Sequence, residues 1–190
     1  MKEDREVLLR ENGHERLYLM FEDEHTKLYY LIQTAGEADR KVRREILLNE
    51  ILHVSPGDLV YGEHGKPYLK DGSVFFSLSH DENASVFAVS DVEVGVDIER
   101  VGEKVNWGVV KKAFPKDYAD NLEFISKHRH PEDLPLEFTR YWSCIEAMVK
   151  ADGRGLTLDI KNNPSWINQW NLEHRIIHGF VITVATRKEK

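Results

Sequence analysis

The chain has 190 residues, 41% of them hydrophobic and 10% aromatic, and a formal net charge of −7. That length and apolar content can bury a core as one domain or as two small halves, which excludes a disordered chain, and no run of about 18 uninterrupted apolar residues offers a membrane-spanning helix. The acidic balance argues against a broad electrostatic grip on nucleic acid, which needs several Lys or Arg contacts to phosphates.

The opening Met1-Lys2-Glu3-Asp4 is not a basic-then-apolar leader, so a soluble, cytoplasmic protein is expected. A lone Cys144 cannot form an internal disulfide and reads as a small packing residue of a reducing compartment. Residues 17–21 and 28–32 read as two strands around the polar turn 22–25. Over 40–52 the apolar residues Val42, Ile46, Leu47, Leu48, Ile51 and Leu52 recur at helical spacing, and Pro56-Gly57 follows as a stop. This helix begins with the basic run Arg40-Lys41-Val42-Arg43-Arg44, which suits either a phosphate or a solvated face.

Residues 62–67 form a turn-rich segment, and 74–78 and 84–89 read as strands flanking a loop that holds Ser79 and His80. After a turn at 90–93, residues 94–99 alternate: Val94, Val96 and Ile98 on one face, Gly95, Asp97 and Glu99 on the other. The apolar face belongs in a core. Between 100 and 137 the sequence is polar and mixed, with a short helix before Pro115, and reads as a connecting region or flap. His128 and His130 within it match no closed zinc pattern. A strong helix over 136–151 ends at Gly153 and Gly155, and strands over 175–177 and 180–186 flank a His178-Gly179 turn.

Period-two geometry sets Asp97 and Glu99 on one face, roughly 6 to 7 Å apart along the strand, within reach of one hard cation. The same pattern also suits an edge strand showing carboxylates to solvent. Glu146 and Lys150 stand four apart on one helix face, the spacing of a site or of an ordinary stabilising pair. Their combination is more specific than any member: three carboxylates, a helix lysine, a histidine near a strand end and a Gly-Lys-Pro turn are the parts that phosphoryl chemistry uses.

Four segments in order carry a family resemblance: Gly65-Lys66-Pro67-Tyr68-Leu69, Phe76-Ser77-Leu78-Ser79-His80, Gly95-Val96-Asp97-Ile98-Glu99, and the run from Trp142 through Glu146 and Lys150 to Leu156. The chain resembles the 4′-phosphopantetheinyl transferase superfamily of the surfactin-synthetase-activating type over about residues 40–160. The resemblance implies an α+β fold of two similar halves, each a small antiparallel sheet with a packed helix, here 1–93 and 94–190. It implies transfer of phosphopantetheine from coenzyme A to a serine of an acyl or peptidyl carrier protein, with release of 3′,5′-ADP. By the same resemblance Asp97, Glu99 and Glu146 would hold Mg2+, and Lys150 would lie near the diphosphate. Glu146 is also the candidate for activating the carrier serine. Arg40, Lys66, Ser79 and His80 would bind the coenzyme, with Arg43 and Arg44 competing for the role of Arg40.

Two positions depart from the family pattern. Ile145 stands where a lysine usually precedes the glutamate, and it extends an apolar stripe with Trp142 and Val149. Asp81 follows His80 where a small residue is common, and brings negative charge toward the expected phosphates. Beside transfer stand two other readings: a non-catalytic module that binds coenzyme A or a carrier protein, and an unrelated metal-dependent phosphohydrolase. A docking surface for the carrier is expected at residues 103–125, with Lys104, Lys111, Lys112 and Phe114. A two-half chain can be complete as a monomer, and neither nucleic acid nor membrane is an expected partner.

Overall fold

The computed structural model describes residues 6–33, 39–128, 131–155 and 159–188; Met1-Lys2-Glu3-Asp4, His130 and Leu156, which entered the sequence reading, lie outside them. Three strands open the chain, β1 (Val7–Asn12), β2 (Glu15–Glu22) and β3 (Thr26–Gln33). The β2–β3 turn is tied by Asp23, whose Oδ1 accepts the backbone N–H of His25 and of Thr26. Helix α1 (Arg40–Leu47) follows, capped by Asp39, whose side chain accepts from the N–H groups of Lys41 and Val42, and it runs on through a π-helical turn over Leu48–Leu52. A small hairpin, β4 (Leu59–Tyr61) and β5 (Pro67–Leu69), leads into β6 (Phe75–Asp81) and β7 (Ala84–Ser90).

Apart from that hairpin, these strands form an antiparallel sheet in the order β1-β2-β3-β7-β6. The expected loop at Ser79 and His80 is instead strand: pairing continues to His80–Ser85 and Asp81–Ala84, leaving a two-residue turn at Glu82-Asn83. Such a turn needs a left-handed residue, and Glu82 supplies it with φ 41.

The second sheet has the order β8-β10-β9, built from β8 (Val94–Arg100), β9 (Trp170–Ile177) and β10 (Phe180–Arg187). Between β8 and β9 come α2 (Trp107–Ala113), α3 (Lys116–His128) and α4 (Leu134–Asp152). The stretch read as a connector is therefore largely helical. Its anchor is an i, i+4, i+7 stripe in which Tyr118 stacks on Tyr141 at 4.2 Å and Leu122 and Ile125 are buried.

Apolar faces order the layers as α1, five-stranded sheet, three-stranded sheet, α4. One core joins Leu47 and Leu48 to Leu17, Leu31 and Phe87 of the first sheet. A second lies between the sheets, where Val94, Val96 and Ile98 meet Met20, Leu28, Val86 and Ala88, as the alternation of β8 requires. A third lies under α4 and includes Ile145, Met148 and Ala185. Each antiparallel sheet thus carries a helix on its outer face, the α+β class expected, although the sheets are unequal.

Edge strands β6 and β8 lie side by side without a backbone ladder, and side chains of β6 do the joining. Ser77 Oγ accepts the Val96 N–H at 3.0 Å, Ser79 Oγ donates to Asp97 Oδ1 at 3.0 Å, and Asp81 Oδ2 accepts the Arg100 N–H at 2.7 Å. Alternation along β6 aims all three at β8. From the other side α4 closes on Gly95, where an added Cβ would lie 2.0 Å from the Ala147 carbonyl oxygen and 2.4 Å from the Ala151 nitrogen. Backbone atoms cannot rotate away, so Gly95→Ala forces helix and strand apart. We expect a loss near the upper end of about 1–3 kcal/mol, read by denaturant unfolding as a lower midpoint at unchanged slope.

Candidate functional site

Trp142, Glu146 and Lys150 recur every four residues on α4, a rise of about 6 Å per step, close to the step of about 6.6 Å between Asp97 and Glu99 on β8. The two rows face each other in antiparallel sense. Trp142 Nε1 donates to Glu99 Oε1 at 3.2 Å, and Lys150 Nζ bonds Asp97 Oδ1 at 2.5 Å and Ser79 Oγ at 2.8 Å. Asp97 is 2% exposed, so its carboxylate is buried against a partly exposed Lys150 rather than shown to solvent. Asp97, Glu99 and Lys150, with Glu146, Ser79, His80 and Asp81, line a cavity of about 320 Å³.

Its electrostatics are unbalanced toward the negative. Among the described residues, Asp97 Oδ2 is buried without a hydrogen-bond partner. Burial first, and then the charges of Asp97 and Asp81, push the Glu99 carboxyl from an ordinary 4.5 up to about 7, against Lys150 and the Trp142 hydrogen bond. Burial and Asp97 likewise raise Glu146, while Lys150 pulls it down. Hard, desolvated oxygen donors short of positive charge fit a divalent cation such as Mg2+. Among the described residues, no three His, Cys, Asp or Glu side chains already converge as a ligand cage. Lys150 holds one oxygen of Asp97, and Trp142 one oxygen of Glu99.

A second cavity, about 500 Å³, shares Leu78, His80, Glu146 and Lys150 with the first, so the two adjoin across these side chains. Its walls combine Arg40, Lys41 and Arg44 from α1 and His64 and Lys66 from the β4–β5 hairpin with an apolar floor of Leu48, Phe76 and Phe87. His80 sits at the junction. Burial, then Arg40, Arg43 and Lys150, lower its pKa, with Asp81 opposing, so the ring is held neutral beside an excess of positive charge.

The structure separates the competing arginines. Arg40 and Arg44, one helical turn apart, both line the larger cavity, whereas Arg43 is 1% exposed and faces inward. Its Nε donates to Ser85 Oγ and its Nη2 to the Glu82 carbonyl, each at 2.9 Å, which braces the β6–β7 turn. Arg44 donates to the Tyr61 hydroxyl at 2.7 Å and lies over that ring. Ser79, expected at the coenzyme, is turned to Asp97 and Lys150. Asp81 stands with the carboxylates, not in the basic cavity. Lys66 lines the larger cavity, but its Nζ donates to the Ala151 and Val94 carbonyls. Phe114 does not belong to a docking surface: it is 1% exposed and stacks on Phe138 at 5.5 Å and Trp142 at 6.2 Å.

Tyr61 and His64 were missing from the sequence reading, and Arg44 stood there only as a competitor of Arg40, whereas both arginines line the cavity. The i, i+4 spacing of Arg40 and Arg44 was an available signal; nothing local marks Tyr61, which enters only because β4 and β5 pair.

Glu99 gives a pH test. In the folded protein it keeps its proton up to about pH 7, but in the unfolded chain it releases it near 4.5. Its contribution to stability is therefore full below the lower value and lost as pH rises through the upper one. Glu99→Gln should flatten this part of the decline. Without added metal at pH 8, its melting temperature should exceed that of the parent protein by a few °C, on the order of 3 °C per kcal/mol, in a thermal-melt series from pH 4 to 9.

The family profile described as 4′-phosphopantetheinyl transferase superfamily matches residues 93–184, which contain β8, α4 and their acidic rows. The chain is 34% identical over 126 residues to the 4′-phosphopantetheinyl transferase AcpT of Salmonella typhimurium, covering 62% of this chain and 64% of that protein. It is 32% identical to the 4′-phosphopantetheinyl transferase HetI of a Nostoc species, over 63% of this chain and 52% of the other. To the 4′-phosphopantetheinyl transferase gsp of Aneurinibacillus migulanus it is 26% identical, over 70% and 55%. The matched part of the chain thus spans between about half and two thirds of these curated relatives. Residues 93–184, with the acidic rows that the match encloses, are similar to the 4′-phosphopantetheinyl transferase superfamily.

Proposed function

We propose that the protein transfers 4′-phosphopantetheine from coenzyme A to a serine of an apo acyl or peptidyl carrier protein in the cytoplasm. The observation that carries this reading is the adjacency of the two cavities, one acidic and one basic with an apolar floor, which share His80, Glu146 and Lys150 as wall. A coenzyme with a nucleotide at one end and a diphosphate in its middle matches that division. Arg40 and Arg44 offer positive charge and the neutral His80 ring a hydrogen bond to the nucleotide phosphate, and the floor offers an apolar surface to the base. The stem of Lys66 forms part of the wall. Ser79 serves the coenzyme by holding Asp97 and Lys150 at the diphosphate. A division into halves at 93/94 places one cavity wall on each.

Asp97, Glu99 and Glu146 would hold Mg2+, which when bound offsets charge on the diphosphate. The chain's own residues carry the rest. Glu146, raised toward neutrality by burial, accepts the proton of the carrier serine as its oxygen bonds to the phosphorus that bears pantetheine. The bond from that phosphorus to the bridging oxygen breaks, and the electron pair leaves with 3′,5′-ADP. Lys150, already positioned by Asp97 and Ser79, meets that developing charge. Lys104, Lys111 and Lys112 are exposed and suit an acidic carrier surface.

Intact-mass analysis of several apo carriers, incubated with the protein, coenzyme A and magnesium, should show the gain of one phosphopantetheine. Asp97→Ala and Glu146→Ala should each lower the rate by about 100-fold or more, and an unchanged rate would overturn the site assignment. Ile145 is 3% exposed and brings no charge to the site, which favours one second reading, a module that binds coenzyme A or a carrier without turnover. Binding with no mass gain on any carrier distinguishes it.

A further inference from the structure

Lys66 sits at the end of the β4–β5 turn, directly before Pro67, with its ammonium directed at main chain. Both of its acceptors among the described residues are carbonyl oxygens: Ala151, and Val94 at 3.5 Å. Ala151 lies in the last turn of α4, where carbonyls have no intrahelical donor and the helix dipole is negative. It is the residue after Lys150. Val94 opens β8, three residues before Asp97. One ammonium thus touches both elements whose rows form the acidic site.

Gly153 is shaped to this contact. It ends α4 with φ 84, and an added Cβ there would lie 3.0 Å from Lys66 Cδ and 3.1 Å from the Tyr68 hydroxyl. The hairpin therefore reaches the helix end over a position with no side chain.

We infer that Lys66 is a positioning residue, which sets α4 against β8 and so the reach of Lys150 and Glu146 to Asp97, instead of neutralising a phosphate of the coenzyme. This rests on the reading of the larger cavity as the coenzyme site. Burial pulls the ammonium down to about 8, with Glu93 and Asp152 opposing, so it remains mostly protonated at neutral pH. The titratable and charged groups facing it are Glu93, Asp152 with its partner Arg154, and Tyr68, whose ring centre is 5.6 Å from Nζ.

The test compares Lys66→Met and Lys66→Gln with the parent protein, first without ligand and then in turnover. The unfolded chain keeps the Lys66 proton to about 10.5 and the folded protein to about 8, so its contribution to stability rises with pH between those values. In both variants that rise should vanish, and amide hydrogen exchange over the last turn of α4 should quicken by about tenfold or more. In turnover, kcat at saturating coenzyme A should fall about 10- to 100-fold while KM for coenzyme A moves less than about threefold. Lys66→Gln, which keeps a donor, should retain more kcat than Lys66→Met. A tenfold rise in KM with kcat, exchange and pH slope unchanged would overturn the inference and make Lys66 a phosphate ligand. Unaltered exchange and slope overturn it whatever the kinetics. If the parent protein transfers nothing, the proposed function fails, and the two ligand-free measurements still decide the role of Lys66.

Discussion

The contact between β8 and α4 at Gly95 governs the site. With no side chain there, helix backbone comes within van der Waals distance of strand backbone, closer than any residue with a Cβ permits. That separation allows a lysine on the helix to reach an aspartate on the strand. It also lets one face of the helix, read every fourth residue, meet one face of the strand, read every second, with two helix steps of about 12 Å converging on one strand step of about 6.6 Å. Trp142 then meets Glu99 as Lys150 meets Asp97. A wider gap would leave the same residues on the same faces, but as two separated rows.

The opposite side of β8 is held by different chemistry. An edge strand carries unpaired backbone groups, and β8 answers this with hydroxyl and carboxylate side chains from β6 instead of a continuous ladder. This joint does two things. It seals the two sheets against each other, and it delivers Ser79 to Asp97 and His80 to the mouth of the basic cavity. Because Arg43 braces the β6–β7 turn from beneath, a fully buried guanidinium supports the turn that follows these residues.

Charge balance follows from this packing. Bringing Asp97, Glu99 and Glu146 out of water around one cavity raises the cost of ionising them together, and Lys150 offsets only part of it. The basic residues that could neutralise the rest are on α1 and the β4–β5 hairpin, at the far side of a shared wall. The protein therefore presents adjoining acidic and basic compartments, although its net charge of −7 shows neither.

Much of this was legible in the chain itself. The alternation of 94–99 assigned Val94, Val96 and Ile98 to the core and Asp97 and Glu99 to the opposite face, because a strand has a fixed period. The helix that bears Glu146 and Lys150, its glycine stop, and the apolar burial of Ile145 followed from helical spacing. Four motifs in order pointed to the family. Local pattern failed where partners are distant in sequence. Ser79 and His80 read as loop because the pairing that extends β6 is decided by β7, and α3 was hidden in a polar stretch whose few apolar residues count only against α4. The same limit holds for Lys66: its sequence context marks a turn lysine near a ligand, and only tertiary packing, by bringing the end of α4 to the hairpin, turns its ammonium onto backbone carbonyls. Residue identity and period determined which groups face which side; the distances between elements, and so which of those groups meet, were decided by the packed structure.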